Sequence, residues 1–278
     1  MRPRRTAFVL GGGGVLGAVE VGMLRALLEA EIVPDVIVGT SIGALNGALV
    51  ATDPSLAVID RLEELWRTVA GSGTVYGDGP MAQMTRAWRS RTHLYSAAPL
   101  QERLEQELGG VRFEELAVEF QCCAASIERA AEHWFGTGPV APAVMASAAV
   151  PGFFPPAEID GEHFLDGGIV NSVPVGRAVE LGGEDLYVLQ VGRVDRPLTT
   201  PSNPIEVARV SFEIARRHRF HREMDKLPDG VRAWVLPTGS GSAKDDSFSA
   251  FRSFGAVDER IEKSYAASRT FLATREAS

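Results

Sequence analysis

The chain has 278 residues, 45% of them apolar, and a formal net charge of -8 at pH 7. This size is sufficient for one large hydrophobic core or two small ones. The acidic balance argues against nucleic-acid binding, because phosphate contacts need clustered Lys and Arg side chains. The two cysteines, Cys122 and Cys123, are adjacent and would point to opposite faces of a strand. We therefore expect no disulfide and a cytoplasmic, reducing location. No stretch of the sequence approaches the roughly 18 consecutive apolar residues of a membrane span.

The N-terminal sequence predicts a β-α-β unit with two parallel strands. Residues 6–10 are mostly apolar and suit a buried strand, and a glycine-rich run follows at positions 11–17. The next segment has one apolar helical face, made by Gly17, Val21, Leu24 and Leu28. A second β-branched run at positions 36–38 suits another buried strand.

A Gly-x-Ser-x-Gly turn follows this second strand, with Ser41 between Gly39 and Gly43. A serine at a sharp strand-to-helix turn presents its hydroxyl outside the backbone, and the two glycines permit close passage of strand and helix. The helix N-terminus behind Ser41 favours negative charge near that hydroxyl. The motif arises often by chance, so its meaning depends on the rest of the chain.

The glycine run matches the dinucleotide-binding pattern at Gly12, Gly14 and Gly17. That interpretation requires an acidic residue at the carboxyl end of the second strand, but Asp35 lies at the opposite end of this strand. Because carboxyl ends of neighbouring parallel strands meet, the loop amides should instead lie beside Ser41. There they would form an oxyanion hole.

A serine nucleophile needs a proton acceptor, and two kinds are available. An α/β-hydrolase order of Ser, Asp and His leaves His218 or His221, which lie in the cationic run at positions 216–222. Positive neighbours repel the imidazolium that forms in catalysis, so a solvated helix face is the favoured interpretation of both. The other acceptor is Asp166, which ends a predicted strand and precedes Gly167 and Gly168.

These segments together resemble the ordered signatures of patatin-like lipid acyl hydrolases. The resemblance rests on residues 12–17, 39–43 and 166–168, together with the segment 146–156 that precedes the aspartate. The matching part spans roughly residues 6–175, and no motif is found after about residue 195. The resemblance implies a single domain over residues 1–278, with the family's three-layer α/β/α sandwich and a mainly parallel central sheet.

The resemblance further implies a Ser-Asp dyad without histidine. Ser41 would be the nucleophile, Asp166 the base, and Gly12, Gly13 and Gly14 the oxyanion hole, with no metal or cofactor. The expected substrate is an acyl ester or lipid. The family usually carries Arg or Lys before the last loop glycine, where this chain has Leu16. That departure weakens the expectation of a phosphate-bearing substrate. The alternative is a catalytically silent module that binds acyl chains or a partner protein.

Two further segments carry expectations about lipid contact. Met81, Met84 and Trp88 recur at helical spacing and predict a cap over an apolar pocket, or an ordinary packed helix. A long helix is predicted over residues 204–226. Ile205, Ala208, Phe212 and Ala215 lie on one face of this predicted helix. The arginine-rich run within this helix could place the protein transiently at a membrane surface, although neighbouring Glu213, Glu223 and Asp225 favour an internally balanced helix surface.

Overall fold

The computed structural model describes residues 3–72, 95–191, 197–239 and 257–276. Its strands in chain order are β1 (Thr6–Leu10), β2 (Val36–Thr40), β3 (Glu119–Ser126), β4 (Ala131–Phe135), β5 (Ala157–Ile159), β6 (Glu162–Asp166), β7 (Asp185–Leu189) and β8 (Arg232–Val235). Its α-helices are α1 (Ala18–Glu29), α2 (Ile42–Thr52), α3 (Leu56–Ser72), α4 (Ala98–Leu108), α5 (Val140–Ser147), α6 (Val175–Glu180), α7 (Pro204–Met224) and α8 (Val257–Glu276). The predicted cap at Met81, Met84 and Trp88 lies outside the described residues.

The strands form one sheet with a parallel centre and an antiparallel edge. Strands β3, β2, β1, β7 and β8 lie side by side and are parallel to one another. β5 and β6 form an antiparallel hairpin at the β3 side, and β4 also pairs with β3 in antiparallel fashion. The predicted β-α-β unit is thus present, with β1 and β2 parallel.

Helices cover both faces of the sheet, as expected when both faces are apolar. Alternate residues of β1 point to opposite sides, so that Phe8 and Leu10 join one core cluster and Ala7 and Val9 the other. The first cluster includes side chains of α1 to α5 and α8, and the second includes side chains of α6 and α7. The predicted three-layer α/β/α sandwich is confirmed.

The register of β3 determines where its neighbours end. Cys123 pairs with Thr40 of β2, and the next residue, Ala124, pairs with Asp166 of β6. β4 pairs with β3 over this whole stretch, so β2 and β6 must share the opposite edge of β3, one beginning where the other stops. The last residue of β2 and the last residue of β6 are therefore next to each other.

The residues that the sequence places on one face of α7 are exposed at the two positions whose side chains are described. Phe212 is 43% exposed, and Ala215 is exposed as well. The helix instead buries Glu213 and Arg216, whose side chains form a 2.8 Å ion pair. Val210 and Phe220 are buried on the same helix, so the inward face combines apolar side chains with a paired charge.

The C-terminal helix α8 packs on α1 through a glycine contact. A Cβ atom added to Gly22 would lie 2.1 Å from the carbonyl oxygen of Ile261, so the two helix backbones are very close. Apolar residues at helical spacing predict an inward face of Val257, Ile261, Tyr265 and Leu272. Val257, Ile261 and Leu272 are buried, and Tyr265 is partly buried against the same core. The part of the chain without a recognised motif thus packs on the same core as the N-terminal unit, while the extent of the domain stays a prediction.

Candidate active site

Ser41 occupies a strained turn between β2 and α2. Its backbone has φ 55° and ψ -120°, in the left-handed region that non-glycine residues rarely adopt. Gly39 and Gly43 make this turn possible, since a Cβ on Gly39 would lie 2.6 Å from the Gly43 carbonyl oxygen, and one on Gly43 would lie 2.5 Å from the Leu10 carbonyl oxygen. The predicted strand-to-helix turn is therefore present, with both glycines required by backbone contacts.

The Ser41 hydroxyl donates a 2.5 Å hydrogen bond to Oδ2 of Asp166, from 125 residues away in the sequence. The pairing of Thr40 and Asp166 with successive residues of β3 explains the contact. Ser41 is 6% exposed and Asp166 is 7% exposed, so the pair lies just beneath the surface.

The second oxygen of Asp166 is held by the glycines that follow it. The Gly168 amide donates a 2.7 Å hydrogen bond to Oδ1. A Cβ on Gly167 would lie 2.1 Å from the Cys123 carbonyl oxygen, so this residue is confined to glycine by the β3 backbone. Burial raises the pKa of Asp166 to about 6, and the hydrogen bonds from Ser41 and Gly168 partly oppose the rise.

The glycine loop passes directly beside Ser41. A Cβ on Gly12 would lie 3.3 Å from the Ser41 Cβ. The Gly12 amide, however, donates a 2.9 Å hydrogen bond to the Ser172 carbonyl. The expectation that Gly12 supplies an oxyanion-hole amide is therefore revised, because its N–H already has an acceptor. Gly12 instead permits the close approach of the loop to Ser41.

Gly13 precedes a short 3₁₀ helix, Gly14–Gly17, and Gly14 is the first residue of that helix. Within the described part of the chain, no residue accepts a hydrogen bond from either amide. A helix start leaves such N–H groups unpaired and ready for an anion. Gly17 is fixed by packing, since its Cβ would lie 2.6 Å from the Ile42 side chain. Leu16, at the position of the usual cation, is buried in the core.

The competing interpretations receive no support from the geometry. His218 and His221 are exposed on α7, whereas the Ser41 hydroxyl donates to Asp166. Asp35 accepts a hydrogen bond from the Thr6 amide at the start of β1, at the opposite end of the sheet from a ribose site. The described residues contain no group of three or more His, Cys, Asp and Glu side chains that could hold a metal.

Two serines that the sequence reasoning did not single out lie in the site. Ser172 supplies the carbonyl that binds the Gly12 amide. The Ser147 hydroxyl accepts a 2.8 Å hydrogen bond from the Ser41 amide. Ser147 belongs to the segment that resembles the family, and this is the signal that could have identified it.

The arginines of α7 are largely paired. Arg216 and Arg217 contact Glu213, and Arg219 contacts Glu132 and Glu223. This pairing agrees with the internally balanced helix surface favoured by the sequence. None of the described helices is long and apolar enough to cross a bilayer.

A family model for patatin-like phospholipase matches residues 8–179, more than half of the chain. Lysophospholipase nte1 of Aspergillus terreus is 30% identical over 200 residues, which cover 69% of this chain and 12% of that protein. The patatin-like phospholipase domain-containing protein M110.7 of Caenorhabditis elegans is 30% identical over 193 residues, covering 67% of this chain and 17% of that protein. The chain thus spans less than a fifth of the length of these curated relatives.

Among solved structures, VipD from Legionella pneumophila matches with a TM-score of 0.51 and 15% identity, covering 98% of this chain and 67% of that chain. At this identity the similarity shows the fold alone. The extent of the family match, together with the two relatives, shows that the chain belongs to the patatin-like phospholipases, a family of carboxylic ester hydrolases.

Proposed function

We propose that the chain hydrolyses carboxylic ester bonds of lipids through an acyl-enzyme, with Ser41 as nucleophile and Asp166 as base. The observation that carries this proposal is the 2.5 Å hydrogen bond between the Ser41 hydroxyl and Asp166 Oδ2. A nucleophile and its base within hydrogen-bond reach are the arrangement that covalent catalysis requires.

In the first step, Asp166 takes the Ser41 proton while the serine oxygen attacks the ester carbonyl. The tetrahedral intermediate collapses, and the leaving alcohol receives the proton from Asp166. In the second step, Asp166 takes a proton from water, which attacks the acyl-enzyme. Collapse releases the fatty acid, and the proton returns to the serine oxygen.

The environment of Asp166 supports its role as a base. A free aspartate has a pKa of ~3.9, which is low for a base that acts near neutral pH. Burial raises the pKa of Asp166 to about 6, so its proton affinity is higher while it stays mostly ionised at pH 7. The Gly168 amide holds the carboxylate by its other oxygen and leaves Oδ2 to the serine.

The unpaired amides of Gly13 and Gly14 are the proposed oxyanion hole. They belong to the loop whose Gly12 lies against Ser41, and no described residue accepts from them. A single donor of this kind contributes about 100- to 1000-fold to turnover. In this proposal the amides supply most of the stabilisation of the developing negative charge.

The substrate class is proposed from the family and from the surroundings of the site. The relative from Aspergillus terreus is named a lysophospholipase. Buried Leu16 leaves the loop without its usual cation, which favours neutral acyl esters over phosphate-bearing lipids. A panel of p-nitrophenyl esters and lysophospholipids measures this preference directly.

Exposed apolar side chains next to the dyad are the proposed contact for the acyl chain. Ile169 is 41% exposed and directly follows Gly168. The Phe212 ring lies 3.5 Å from the position of a Cβ on Gly168. We propose that the acyl chain lies over these two side chains, and that transient contact with a lipid surface occurs here rather than through the paired arginines.

The test is ester hydrolysis and fluorophosphonate labelling of the wild type, Ser41→Ala and Asp166→Asn. We expect Ser41→Ala to lose both signals, and Asp166→Asn to lower kcat by about 100- to 10,000-fold. Asp160→Asn is the matched control, because Asp160 lies exposed at the tip of the same hairpin and the change removes the same charge. Near-normal turnover in Asp166→Asn would contradict the dyad.

The alternative is a catalytically silent member that binds acyl chains or a partner protein. It predicts that a fluorophosphonate fails to label Ser41 in the folded wild type. Saturable binding of a fatty acid without hydrolysis of any ester in the panel would then replace the enzymatic proposal.

A further inference from the structure

The Ser147 side chain contacts the main-chain amide of Ser41, the proposed nucleophile, and not the Ser41 side chain. Its hydroxyl accepts a 2.8 Å hydrogen bond from the Ser41 amide and donates a 2.6 Å hydrogen bond to the Cys123 carbonyl within β3. Ser147 is completely buried. One hydroxyl therefore joins α5, the β3 strand and the turn that carries the nucleophile.

The same short segment also holds the base. The Asp166 amide donates a 2.9 Å hydrogen bond to the carbonyl of Ala149. Residues 147–149, which we call the clamp, thus bind the backbone of both dyad members within three consecutive positions. The two contacts differ in kind, because the one to Asp166 uses only main-chain atoms, whereas the one to Ser41 depends on a side chain.

The strain at Ser41 makes this side-chain contact consequential. The residue has φ 55°, and its amide precedes the first turn of α2, where no intrahelical acceptor exists. Ser41 is almost fully buried, so water has little access to that amide. A strained conformation persists only when surrounding contacts hold it, and an unpaired buried amide favours rearrangement.

We infer that Ser147 is a positioning residue, which fixes the Ser41 backbone so that its hydroxyl stays on Asp166 Oδ2. The inference rests on the proposed dyad and adds a residue that does not touch the substrate. Removing the Ser147 hydroxyl should let the Ser41 turn relax and lengthen the hydrogen bond between the two catalytic side chains.

The experiment compares Ser147→Ala, Ser147→Cys and Ser147→Thr. A misplacement of about 1 Å can cost about 100-fold in rate, so we expect kcat to fall by about 10- to 100-fold in Ser147→Ala, with little change in KM. Ser147→Cys, which keeps the volume but has a weak acceptor, should behave like Ser147→Ala. Ser147→Thr retains the hydroxyl and should recover most of the activity.

The pH profile separates positioning from a general loss of structure. The hydrogen bond from Ser41 lowers the pKa of Asp166. Weakening that bond in Ser147→Ala should therefore move the acid limb of kcat/KM to higher pH. The matched control is Ser126→Ala, which removes another buried serine hydroxyl that accepts a backbone amide, from Arg129. This control should leave both kcat and the acid limb unchanged.

Each outcome has a definite meaning. A lower melting temperature in Ser147→Ala with wild-type kcat and an unmoved acid limb would overturn the inference. If Ser147→Ala does not fold, equal activity of the Cys and Thr variants would overturn it instead. Failure of a fluorophosphonate to label Ser41 in the wild type would remove the proposed dyad and this inference together, whereas normal wild-type labelling with an unchanged labelling rate in Ser147→Ala removes the inference alone.

Discussion

The turn at Ser41 and the helix α7 show two different ways of placing polar groups beneath a surface. At Ser41, backbone contacts require glycine at two nearby positions. A Cβ added to Gly39 or to Gly43 would lie within 2.6 Å of another main-chain atom. In α7, the buried face combines the apolar side chains of Val210 and Phe220 with an ion pair between Glu213 and Arg216. The first kind of constraint is visible in a sequence motif. The second depends on partners that the sequence does not reveal.

The difference also concerns what each region leaves in contact with solvent. At the turn, the residues of α2 from Gly43 to Ala51 are buried behind the Ser41 hydroxyl. All of them except Asn46 are apolar or glycine. Helix α7 leaves Val207, Phe212 and Ile214 exposed. One region thus holds the Ser41 hydroxyl in place, while the other presents apolar surface, of which Phe212 lies beside Gly168.

The largest expected effect is that of Gly43→Ala. The new Cβ would lie 2.5 Å from the Leu10 carbonyl oxygen and 2.6 Å from its carbonyl carbon, and neither backbone atom can move alone. We expect destabilisation of at least about 4 kcal/mol, or failure to fold, measured by urea unfolding. Gly47→Ala on the same helix is the control, because its Cβ would meet only side chains, at 3.0 Å or more. Equal stability of the two variants would contradict the backbone argument.

Glu213→Ala should destabilise the protein by about 3 kcal/mol, because it leaves Arg216 buried without its partner. Burial opposes ionisation of Glu213, but the adjacent Arg216 and Arg217 lower its pKa, so the carboxylate is charged in the native state. Glu180→Ala, which breaks an exposed pair with Arg177, should cost less than about 1 kcal/mol. Similar urea midpoints for the two variants would show that α7 does not depend on this buried pair.

The proposed role of Asp166 as base predicts an acid limb of kcat/KM near pH 6, because the carboxyl must be ionised to accept a proton and burial raises its pKa to about 6. The raised pKa of Asp166 also makes the stability of the protein depend on pH. A carboxyl group that binds its proton more tightly when folded makes the native state lose stability as pH rises from about 4 to about 6. At pH 7 the cost is no more than about 3 kcal/mol.

Asp166→Asn should therefore raise the melting temperature at pH 7 while abolishing most activity. Thermal unfolding at pH 5 and pH 7 tests this, since the stability difference between variant and wild type should be larger at pH 7. A difference that is independent of pH would show that Asp166 has an ordinary pKa in the folded protein.

The smallest expected effect is that of Phe212→Ala. Its ring is exposed, so removing it should change the free energy of unfolding by less than about 0.5 kcal/mol. If the acyl chain lies over this ring, kcat/KM for long-chain p-nitrophenyl esters should fall by about 3- to 10-fold, with short-chain esters unaffected. Ile214→Ala, another exposed apolar residue of α7, should leave the ratio unchanged. A common effect of both variants on all chain lengths would rule out a specific acyl contact at Phe212.

The sequence predicts the local parts of this molecule well because their causes are local. Strand β2, the turn at Ser41 and the hairpin that ends at Asp166 follow from β-branched runs, glycines and the Asp160–Gly161 turn. The meeting of Ser41 with Asp166 was expected only through the resemblance to a family. Its physical cause is the register of β3, which depends on non-local pairing.

The features that the sequence does not reveal also depend on non-local contacts. The Gly12 amide was expected to face an oxyanion, but the Ser172 carbonyl takes it, and residue 172 is far away in the chain. Phe212 and Ala215 share one face of the predicted helix, and apolar residues at helical spacing usually face a core, but both are exposed. The buried face of this helix instead carries Val210 and Phe220 together with the ion pair of Glu213 and Arg216, and this arrangement depends on packing in three dimensions.

Strand β3 is shared in succession by β2 and β6, and this has a consequence for how the molecule can vary. Since Thr40 and Asp166 are aligned by pairing with adjacent residues of a third strand, their separation does not depend on the length of chain that connects them. Insertions, deletions or whole added segments between α2 and β6 can be accommodated without altering the reactive geometry, provided that β3 keeps its place. Diversity of recognition can thus accumulate in the connections while the chemistry stays constant.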